Sequence, residues 1–479
     1  MRRAKIVCTI GPATESPEQI QALVDAGMDV ARINRSHGTQ AEHELVYQRV
    51  RAASKASGRS VAVLVDLQGP KIRLGRFIEE RHQLEIGDIF TITTEDVEGT
   101  RELVSTTFKG LPGDVRPGDP ILIDDGKVLV RVQEVDGPRV VTRVEVPGPV
   151  SNNKGLNLPG VAVSVPAMSD KDMADLRWAL GLGADIIALS FVRNAADYDD
   201  VRAIMEDEGR VVPVIAKIEK PQAVDNLQEI VSTFDGIMVA RGDLGVELPL
   251  EQVPLVQKRA VEMARRAAKP VIVATQVLES MVTNPRPTRA EASDCANAVL
   301  DGADAVMLSG ETSVGDFPIE AVRTMARIIE VTEESGGERI APLGTVARTR
   351  SGAITRAAAE VGETLGVKYL VTFTQSGDSA RRMSRLRSGI PLVALTPVDQ
   401  VRNVLSLSWG VQTYLVPSVN STDVMVYQVD QTLRANGLAE VGDTVVVVAG
   451  TPIGVTGSTN SMVVHRIGGE EPSGMVPRR

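Results

Sequence analysis

The chain has 479 residues, of which 43% are hydrophobic and 24% are charged, and its formal net charge is −10 at neutral pH. This length is too great for one hydrophobic core, and the ordinary composition argues against extensive disorder. The acidic balance, with basic residues interspersed among acidic ones and no long basic run, gives no support for a nucleic-acid partner. We therefore expect a folded enzyme of about three domains.

The chain shows no targeting or membrane signal. Gly11-Pro12 ends the apolar stretch that follows the basic start, too early for a signal peptide, and no run approaches the ~18 apolar residues of a membrane helix. Cys8 and Cys295 are isolated among apolar residues, so we expect buried thiols rather than a disulfide or metal site. These features predict a cytoplasmic protein with no membrane contact.

Eight short apolar runs alternate with longer amphipathic segments, the pattern of βαβ units. Ser16 and Thr288 each stand three residues before a Gln or Glu, which predicts capping boxes at two helix starts. Eight β/α units in succession predict a (β/α)₈ TIM barrel formed by residues 1–69 and 167–337. The runs are Lys5–Ile10, Val30–Ser36, Val61–Leu67, Asp185–Phe191, Val212–Glu219, Gly236–Asp243, Val271–Gln276 and Ala305–Ser309.

The segment between the third and fourth runs lacks helical periodicity and is rich in Val, Gly, Pro and Asp. Asp125-Gly126, between two apolar runs, predicts a β-hairpin. We expect residues 70–166 to form a small β-barrel domain inserted after the third barrel strand, with hinges at Gly69-Pro70 and Val165-Pro166. A domain inserted at the catalytic end of a barrel would act as a lid over the site.

A third part follows the linker at Gly336-Gly337. A helix is predicted at Ala353–Leu365, and this alternation of helix and strands predicts a three-layer α/β domain over residues 338–479. Its apolar runs are Leu370–Thr374, Leu392–Leu395 and Thr444–Ala449. The polar tail from Gly468 onward is expected to be mobile.

Polar side chains stand at the ends of most barrel runs, where barrel enzymes carry their catalytic groups. Any one of them could form a structural ion pair, because a charge beside a buried strand must be paired or bound to a ligand. So many polar strand ends together favour a site. They are Arg32, Asn34, Ser36, Asp66, Lys217, Glu219, Asp243, Thr275, Ser309 and Glu311.

The residue types at these strand ends suit metal-assisted phosphoryl transfer. Glu219 and Asp243 offer the carboxylates that Mg²⁺ or Mn²⁺ prefers, and Lys217 and Arg32 supply positive charge for phosphate oxygens. The four histidines are too scattered for a zinc site. No G-x-x-x-x-G-K-[ST] loop occurs, and Gly181-Leu182-Gly183 precedes a strand, so we interpret it as a turn.

In this order, the strand ends resemble those of the pyruvate kinase family over nearly the whole chain. The combination is very specific. The segments that carry the resemblance are residues 31–38 (ARINRSHG), 66–73 (DLQGPKIR), 216–219 (AKIE), 239–247 (VARGDLGVE), 274–281 (ATQVLESM) and 307–312 (MLSGET).

The resemblance implies transfer of the phosphoryl group of phosphoenolpyruvate to ADP, giving pyruvate and ATP. It implies that Glu219 and Asp243 bind the divalent metal, and that Lys217 stabilises the transferring group and the enolate. Arg32 would hold the phosphate. The other implied roles are substrate carboxylate binding by Gly242, Asp243 and Thr275, nucleotide binding by Asn34, Arg35, Ser36, His37, Arg73 and Lys154, with Arg73 also catalytic, and proton delivery through Thr275, Ser309 and Glu311.

Lys71 departs from the potassium-dependent members of the family, which carry a glutamate at this position. In those members the monovalent cation is bound by groups that match Asn34, Ser36, Asp66 and the backbone of Leu67. A lysine brings its own positive charge, so we predict an enzyme that does not require K⁺. The alternative is a lid lysine that faces solvent.

In the last part, residues 374–379 (TQSGDS) follow a predicted strand and open a helix. The family places an effector phosphate in this loop, so Thr374, Ser376, Gly377 and Ser379 are predicted to bind a sugar phosphate or AMP. Simple helix capping is the alternative, and Asp378 disfavours an anion if it points inward.

Two rival interpretations remain open at this stage. An aldolase-like lyase acting on phosphoenolpyruvate or pyruvate would explain the carboxylates, but not the inserted lid with Arg73 and Lys154. A catalytically silent effector-binding homologue would lack at least one strand-end group, and none is missing. The family also implies a homotetramer, which nothing in the composition or periodicity indicates.

Overall fold

The computed structural model describes residues 2–161, 163–344, 347–455 and 457–469, so most of the polar tail predicted from Gly468 onward lies outside the described residues. The chain begins with two β/α units and a third barrel strand. These are β1 (Lys5–Thr9), α1 (Pro17–Ala26), β2 (Val30–Asn34), α2 (Gln40–Ser57) and β3 (Ala62–Asp66).

An inserted β domain follows. Six of its strands form a sheet in the order β11-β7-β8-β9-β5-β6, and β4 pairs with β10 in a two-stranded ribbon. The predicted hairpin is present, since β7 and β8 pair antiparallel across Asp124, Asp125 and Gly126. Its elements are β4 (Arg81–Leu84), β5 (Ile89–Thr93), β6 (Leu103–Ser105), α3 (Leu111–Asp114), β7 (Pro120–Ile123), β8 (Val128–Asp136), β9 (Arg139–Val146), β10 (Gly148–Ser151) and β11 (Leu156–Asn157).

The chain then completes the barrel. The elements are α4 (Asp170–Leu182), β12 (Ile186–Leu189), α5 (Asp197–Asp207), β13 (Val214–Ile218), α6 (Pro221–Asp225), α7 (Leu227–Thr233), β14 (Gly236–Ala240), α8 (Arg241–Glu247), α9 (Val253–Ala267), β15 (Val271–Ala274), α10 (Arg289–Asp301), β16 (Ala305–Leu308), α11 (Gly310–Ser313) and α12 (Pro318–Gly336).

Eight parallel strands close into the predicted barrel, in the order β1-β2-β3-β12-β13-β14-β15-β16 and back to β1. Every residue of β1, β3, β12, β14, β15 and β16 is buried, because one face packs on the helices and the other fills the barrel. The interior layer includes Val7, Leu64, Ile215, Met238 and Ile272. Both cysteines are buried, as predicted.

The C-terminal part is the predicted α/β domain. Its five strands have the order β19-β18-β17-β20-β21, with only β21 antiparallel, and separate apolar clusters cover the two faces of the sheet. The elements are α13 (Arg350–Leu365), β17 (Tyr369–Phe373), α14 (Asp378–Ser384), β18 (Leu392–Thr396), α15 (Asp399–Val404), β19 (Val411–Leu415), α16 (Thr422–Ala435), β20 (Thr444–Gly450) and β21 (Thr459–Arg466).

This domain packs against the amino ends of the barrel strands, opposite the predicted site. Leu407 enters the apolar cluster of the barrel interior, and the buried ammonium of Lys5, at the start of β1, donates to the carbonyl of Val411 at 2.9 Å. Asp304, just before β16, accepts from the backbone N–H of Trp409. The carboxyl ends of the strands are therefore left for the lid.

Several predicted boundaries were wrong. The run predicted to end at Asp243 stops as a strand at Ala240, because the chain turns there into helix α8, and Asp243 stands in the first turn of that helix. Ser36 and Glu219 likewise lie just beyond β2 and β13 rather than within them. At the helix starts, Thr288 and Glu291 form both halves of a capping box, whereas Ser16 accepts only the N–H of Gln19.

Candidate active site

Lys217 lies at the centre of a buried charged cluster at the carboxyl ends of the strands. Its ammonium is 2.8 Å from Glu219 Oε1 and 3.3 Å from Asp66 Oδ1, and it donates to Ser190 Oγ at 2.8 Å. Burial alone would lower the pKa of Lys217, but Asp66 and Glu219 outweigh it and raise this pKa above its usual value. Lys217 is therefore a permanent cation in a site shielded from solvent.

Arg32 extends this cluster towards β1. Its Nε donates to Asp66 Oδ2 at 2.7 Å, and its Nη1 donates to Thr9 Oγ1 at 2.9 Å. Burial would raise the pKa of Asp66, but Lys217 and Arg32 together hold it below its usual value. Asp66 thus stays ionised and fixes both cations side by side, which is the arrangement that a phosphoryl group requires.

Glu219 and Asp243 meet beside Lys217. Burial, and then the charge of Asp243, raises the pKa of Glu219 despite the opposing effect of Lys217. Glu219 Oε2 accepts the backbone N–H of Phe191 at 2.7 Å, whereas within the described residues the half-exposed Asp243 carboxylate has no hydrogen bond or ion pair. Two repelling carboxylates, one of them unpaired, fit a hard divalent cation that would relieve the repulsion.

The described residues contain no group of three or more His, Cys, Asp or Glu side chains that could hold a metal. A pair of carboxylates nevertheless suits Mg²⁺, because this ion keeps several waters and takes its remaining ligands from substrate oxygens. The donor set present here therefore fits a divalent cation that binds together with a phosphorylated substrate.

Thr275 and Gly242 form the next part of the site. Gly242 N–H donates to Thr275 Oγ1 at 2.7 Å, and both Thr275 and Gln276 adopt left-handed backbone angles, with φ of +65° and +53°. Such angles are costly for these residues and are concentrated at functional sites. Arg241 fixes the turn by donating to the Thr275 carbonyl at 2.8 Å, and its guanidinium is paired with Asp294.

Ser309 and Glu311 follow β16. The buried Glu311 carboxylate accepts the N–H groups of Leu278 and Ser309, at 3.1 and 2.7 Å. Burial is the main cause that raises the pKa of Glu311, and the two N–H donors oppose it. The buried hydroxyl of Ser309 has no hydrogen-bond partner among the described residues. A buried carboxyl with a raised pKa and an available hydroxyl beside it are suited to carrying a proton.

The residues after β2 separate into two groups. Asn34 Oδ1 accepts the Ser36 N–H at 3.1 Å, and His37 is exposed at the rim. Arg35 instead turns away, since its guanidinium pairs with Asp175 at 2.8 Å and lies over the ring of Trp178. Only 4% of the Arg35 side chain is exposed, so its guanidinium does not face the rim of the site.

His43 is the titratable neighbour of Arg35, with its Nδ1 against the guanidinium. Burial, and then the charge of Arg35, lowers the pKa of His43 from 6.5 to about 4. Between pH 6.5 and about 4, the unfolded chain takes up a proton at His43 that the folded chain does not. The free energy of unfolding is therefore lowered as the pH falls through this range, and it is unaffected by His43 above it. We expect His43→Gln to reduce the fall in Tm between pH 7 and pH 5, measured by scanning calorimetry. An equal fall in both proteins would contradict this.

The lid carries the predicted nucleotide-side cations. Arg73 and Gly155 form a backbone bridge, which places Arg73 beside Lys154, and the Lys154 ammonium is 3.0 Å from Asp124 Oδ1. Lys71 is exposed next to Gly155, and no ion pair joins it to Asp66 within the described residues. Asp66 is already paired with Arg32 and Lys217 in this arrangement.

The predicted effector loop lines a small open pocket together with Gly450, Ile453, Gly454, Ser458 and Thr459. Thr374 Oγ1 accepts the Gly377 N–H at 2.9 Å, and the hydroxyls of Ser379 and Thr459 bond to each other at 2.6 Å. Asp378 pairs with Arg382 at 2.6 Å, which offsets its negative charge. The structure thus contains both a small open pocket beside the loop and the loop's own internal hydrogen bonds.

Two contributors to the site were not predicted from the sequence. Ser190 accepts from Lys217 and itself donates to the Leu67 carbonyl at 2.7 Å, and Phe191 supplies the N–H that holds Glu219. Both end the fourth predicted run. Ser190 could have been found from the sequence, because it is a polar residue at the end of a barrel run, like the site residues of the other runs.

Comparison with known proteins decides between the interpretations left open above. The family model described as the barrel domain of pyruvate kinase matches residues 1–322, and that described as its alpha/beta domain matches residues 352–465. The chain belongs to the pyruvate kinase family. It is 58% identical over 470 residues to a pyruvate kinase from Mycobacterium intracellulare, covering 98% of this chain and 99% of that protein.

Two further relatives agree with this assignment. A pyruvate kinase from Mycobacterium tuberculosis is 57% identical over 470 residues, covering 98% of this chain and 99% of that protein. A solved structure of a pyruvate kinase from Cryptosporidium parvum superposes with a TM-score of 0.91 at 36% identity, covering 97% of this chain and 96% of that one. The chain is thus a phosphotransferase of glycolysis, which transfers the phosphoryl group of phosphoenolpyruvate to ADP to give pyruvate and ATP. The family requires a divalent metal.

The resemblance inferred from the strand ends is therefore confirmed, as is the fold class, and a lyase is excluded. None of the helices in the described ranges is long and apolar enough to cross a membrane.

Proposed function

We propose that the phosphoryl group is transferred at the cluster of Lys217, Arg32 and Asp66, with Glu219 and Asp243 as metal ligands. The observation that carries this proposal is the position of the Lys217 ammonium, which contacts Asp66 and Glu219 and is shielded from solvent. Formation of ATP from phosphoenolpyruvate and ADP, followed in a coupled assay with Mg²⁺, tests the activity. Absence of ATP formation by the folded protein would contradict it.

Mg²⁺ or Mn²⁺ bound by Glu219 and Asp243 would supply a positive charge that offsets the charges of the substrate carboxylate and phosphate. Arg32 binds the phosphate oxygens, and its fixed orientation against Asp66 and Thr9 supports this role. Lys217 neutralises the charge that develops on the transferring group and on the enolate. Gly242 and Thr275 orient the substrate carboxylate.

The enolate must then be protonated to give pyruvate. We assign delivery of this proton to the group formed by Thr275, Ser309 and Glu311. The raised pKa of Glu311 and the unpartnered hydroxyl of Ser309 support the assignment. No single one of the three is assigned as the final acid.

ADP is proposed to bind between the lid and the end of β2. Arg73 and Lys154 would bind its phosphates from the lid, with Asn34, Ser36 and His37 beside the nucleotide. The adjacency of Arg73 and Lys154 on the lid supports this, because two neighbouring cations match a diphosphate. For Arg35 the geometry gives no support, since its guanidinium is paired with Asp175, its N–H donates to the Asp66 carbonyl and its own carbonyl accepts from Lys171.

We propose that the enzyme does not require K⁺, because Lys71 replaces the glutamate of the potassium-dependent members. We expect full activity in K⁺-free buffer with Na⁺ and K⁺ replaced by a tetraalkylammonium salt. Lys71→Glu should lose at least about nine-tenths of this activity and regain it on addition of KCl. Lys109→Glu, a matched change at another lid lysine, should keep its activity in K⁺-free buffer and should not be stimulated by KCl. A drop of the unmodified enzyme to a few per cent without K⁺ would contradict the proposal.

A phosphorylated effector, either a sugar phosphate or AMP, is proposed to bind at Thr374, Ser376, Gly377 and Ser379. The adjoining pocket and the pairing of Asp378 with Arg382 support this. We expect one of these ligands to lower the phosphoenolpyruvate concentration at half-saturation, and Ser376→Asp to abolish that response with basal activity unchanged, because a second negative charge repels the phosphate. No response to either ligand in the unmodified enzyme would count against regulation here.

We also propose a homotetramer in the cytoplasm, as the family implies. The proposed domain limits are 1–69 with 167–337 for the barrel, 70–166 for the lid and 338–479 for the C-terminal domain. Sedimentation equilibrium of the purified enzyme, with a mass of four chains as the expected result, tests the assembly.

A further inference from the structure

Glu247, the last residue of α8, is buried at the contact between the lid and the barrel. Its Oε1 accepts a hydrogen bond from Nδ2 of Asn157, in lid strand β11, at 2.9 Å. The same oxygen is 2.5 Å from the ammonium of Lys220, which belongs to the barrel. Only 2% of the Glu247 side chain is exposed. Among the described residues, the bond to Asn157 is the one hydrogen bond that joins a lid side chain to a barrel side chain.

On the barrel side, Glu247 contacts or belongs to the elements that carry both proposed metal ligands. It ends the short helix that starts at Arg241 and contains Asp243. Its partner Lys220 directly follows Glu219, and the Lys220 ammonium lies 5.5 Å from the centre of the Phe191 ring. Phe191 in turn donates its N–H to Glu219. A shift of Glu247 would therefore reach both carboxylates.

On the lid side, Asn157 is close to the proposed nucleotide-binding cations. It lies three residues after Lys154, and the N–H of the preceding Leu156 donates to the carbonyl of Ile72 at 2.9 Å, next to Arg73. β11 also pairs with β7, which leads directly to Asp124, the partner of Lys154. Asn157 is thus linked through β11 and its neighbours to both Arg73 and Lys154.

A second barrel residue holds the lid only at its hinge. Arg193 Nη1 donates to the carbonyls of Val163 and Val165, at 3.3 and 2.9 Å, where the chain returns from the lid to the barrel. These bonds fix the hinge, but they do not set the angle of the sheet beyond it. The contact between Asn157 and Glu247 lies beyond the hinge and can set that angle.

We propose that Glu247 is a positioning residue that aligns the ADP-binding cations of the lid with the metal site of the barrel. Being buried, it touches neither substrate and acts through Asn157 and Lys220. The inference rests on the proposed assignment of Arg73 and Lys154 to the ADP phosphates. Loss of the bond should weaken productive ADP binding while the phosphoenolpyruvate half of the site stays assembled.

Asn157→Leu, which keeps the side-chain size but cannot donate, is the test. We expect it to raise KM for ADP at least five-fold. KM for phosphoenolpyruvate, and the metal-dependent exchange of pyruvate methyl protons with D₂O, should stay within two-fold, because that exchange uses the barrel and not the lid. Gln133→Leu, at an exposed lid amide, is the matched control and should change none of these. Retained exchange also shows that the variant is folded.

A double mutant tests the path through Glu247. If Asn157 acts through Glu247, adding Asn157→Leu to Glu247→Met should raise KM for ADP no further than Glu247→Met alone. Independent, multiplying effects would overturn the inference, as would an Asn157→Leu variant with an unchanged KM for ADP or with equal losses in both reactions.

Arg73→Gln, measured in parallel, separates this inference from the assignment on which it rests. If Arg73→Gln leaves KM for ADP unchanged, the nucleotide assignment fails and the inference fails with it. A raised KM in Arg73→Gln with an unchanged KM in Asn157→Leu overturns the role of Glu247 alone.

Discussion

Replacing Lys217 by methionine is expected to lower kcat for ATP formation by at least about a thousand-fold, the loss that follows removal of a fixed charge from a transition state. Methionine preserves the unbranched shape but removes the ammonium that contacts Asp66, Glu219 and Ser190. The chemical step, rather than substrate binding, should be affected, so kcat should fall more than KM rises.

The same variant should keep its metal site. The ammonium of Lys217 lies 2.8 Å from Glu219 Oε1 and competes with a cation for that oxygen. Lys217→Met should therefore bind Mn²⁺, followed by electron paramagnetic resonance, at least as tightly as the unmodified enzyme. Loss of both activity and Mn²⁺ binding would mean that Lys217 maintains the site rather than takes part in the reaction.

Replacing Glu219 by glutamine should instead weaken metal binding, and the activity should fall as a consequence. A neutral amide removes one of the two carboxylates, and the several kcal/mol that a metal contributes to charge stabilisation correspond to about a hundred-fold or more in kcat/KM at fixed Mg²⁺. The activity should recover partly at high Mg²⁺, and the Mg²⁺ concentration at half-maximal activity should rise at least ten-fold.

Glu333→Gln is the matched control for this change. Glu333 is also a largely buried glutamate whose pKa is raised mainly by burial, but it binds the backbone N–H groups of Arg3 and Ala4 at the amino end of the barrel. Its replacement should leave the Mg²⁺ dependence unchanged. If both variants altered that dependence alike, the effect of Glu219→Gln would come from general destabilisation.

The sequence predicted the barrel well because parallel barrel strands are buried on both faces and therefore form nearly continuous apolar runs. The polar ends of these runs also pointed to Arg32, Asp66, Lys217 and Glu219, which the structure brings into contact. The same reasoning misplaced Asp243, since a chain that turns from strand into helix without a break in polarity gives no signal of where the strand ends.

Contacts between distant segments were beyond such reasoning. Arg35 was predicted to bind the nucleotide, but the partners of its guanidinium, Asp175 and Trp178 in α4, lie about 140 residues away and meet it only in the folded chain. The bond between Asn157 and Glu247 spans 90 residues and two domains. The sequence around Asn157 and the sequence around Glu247 contain no pattern that could indicate this contact.

The most direct test of the proposed metal and transfer centre is an anomalous difference map from crystals of this enzyme grown with Mn²⁺. We predict a single strong peak at the carboxyl ends of the barrel strands, within bonding distance of one carboxylate oxygen of Glu219 and one of Asp243, and beside the Lys217 ammonium. A peak bound by other residues, or density at this place that touches neither carboxylate, would contradict the assignment.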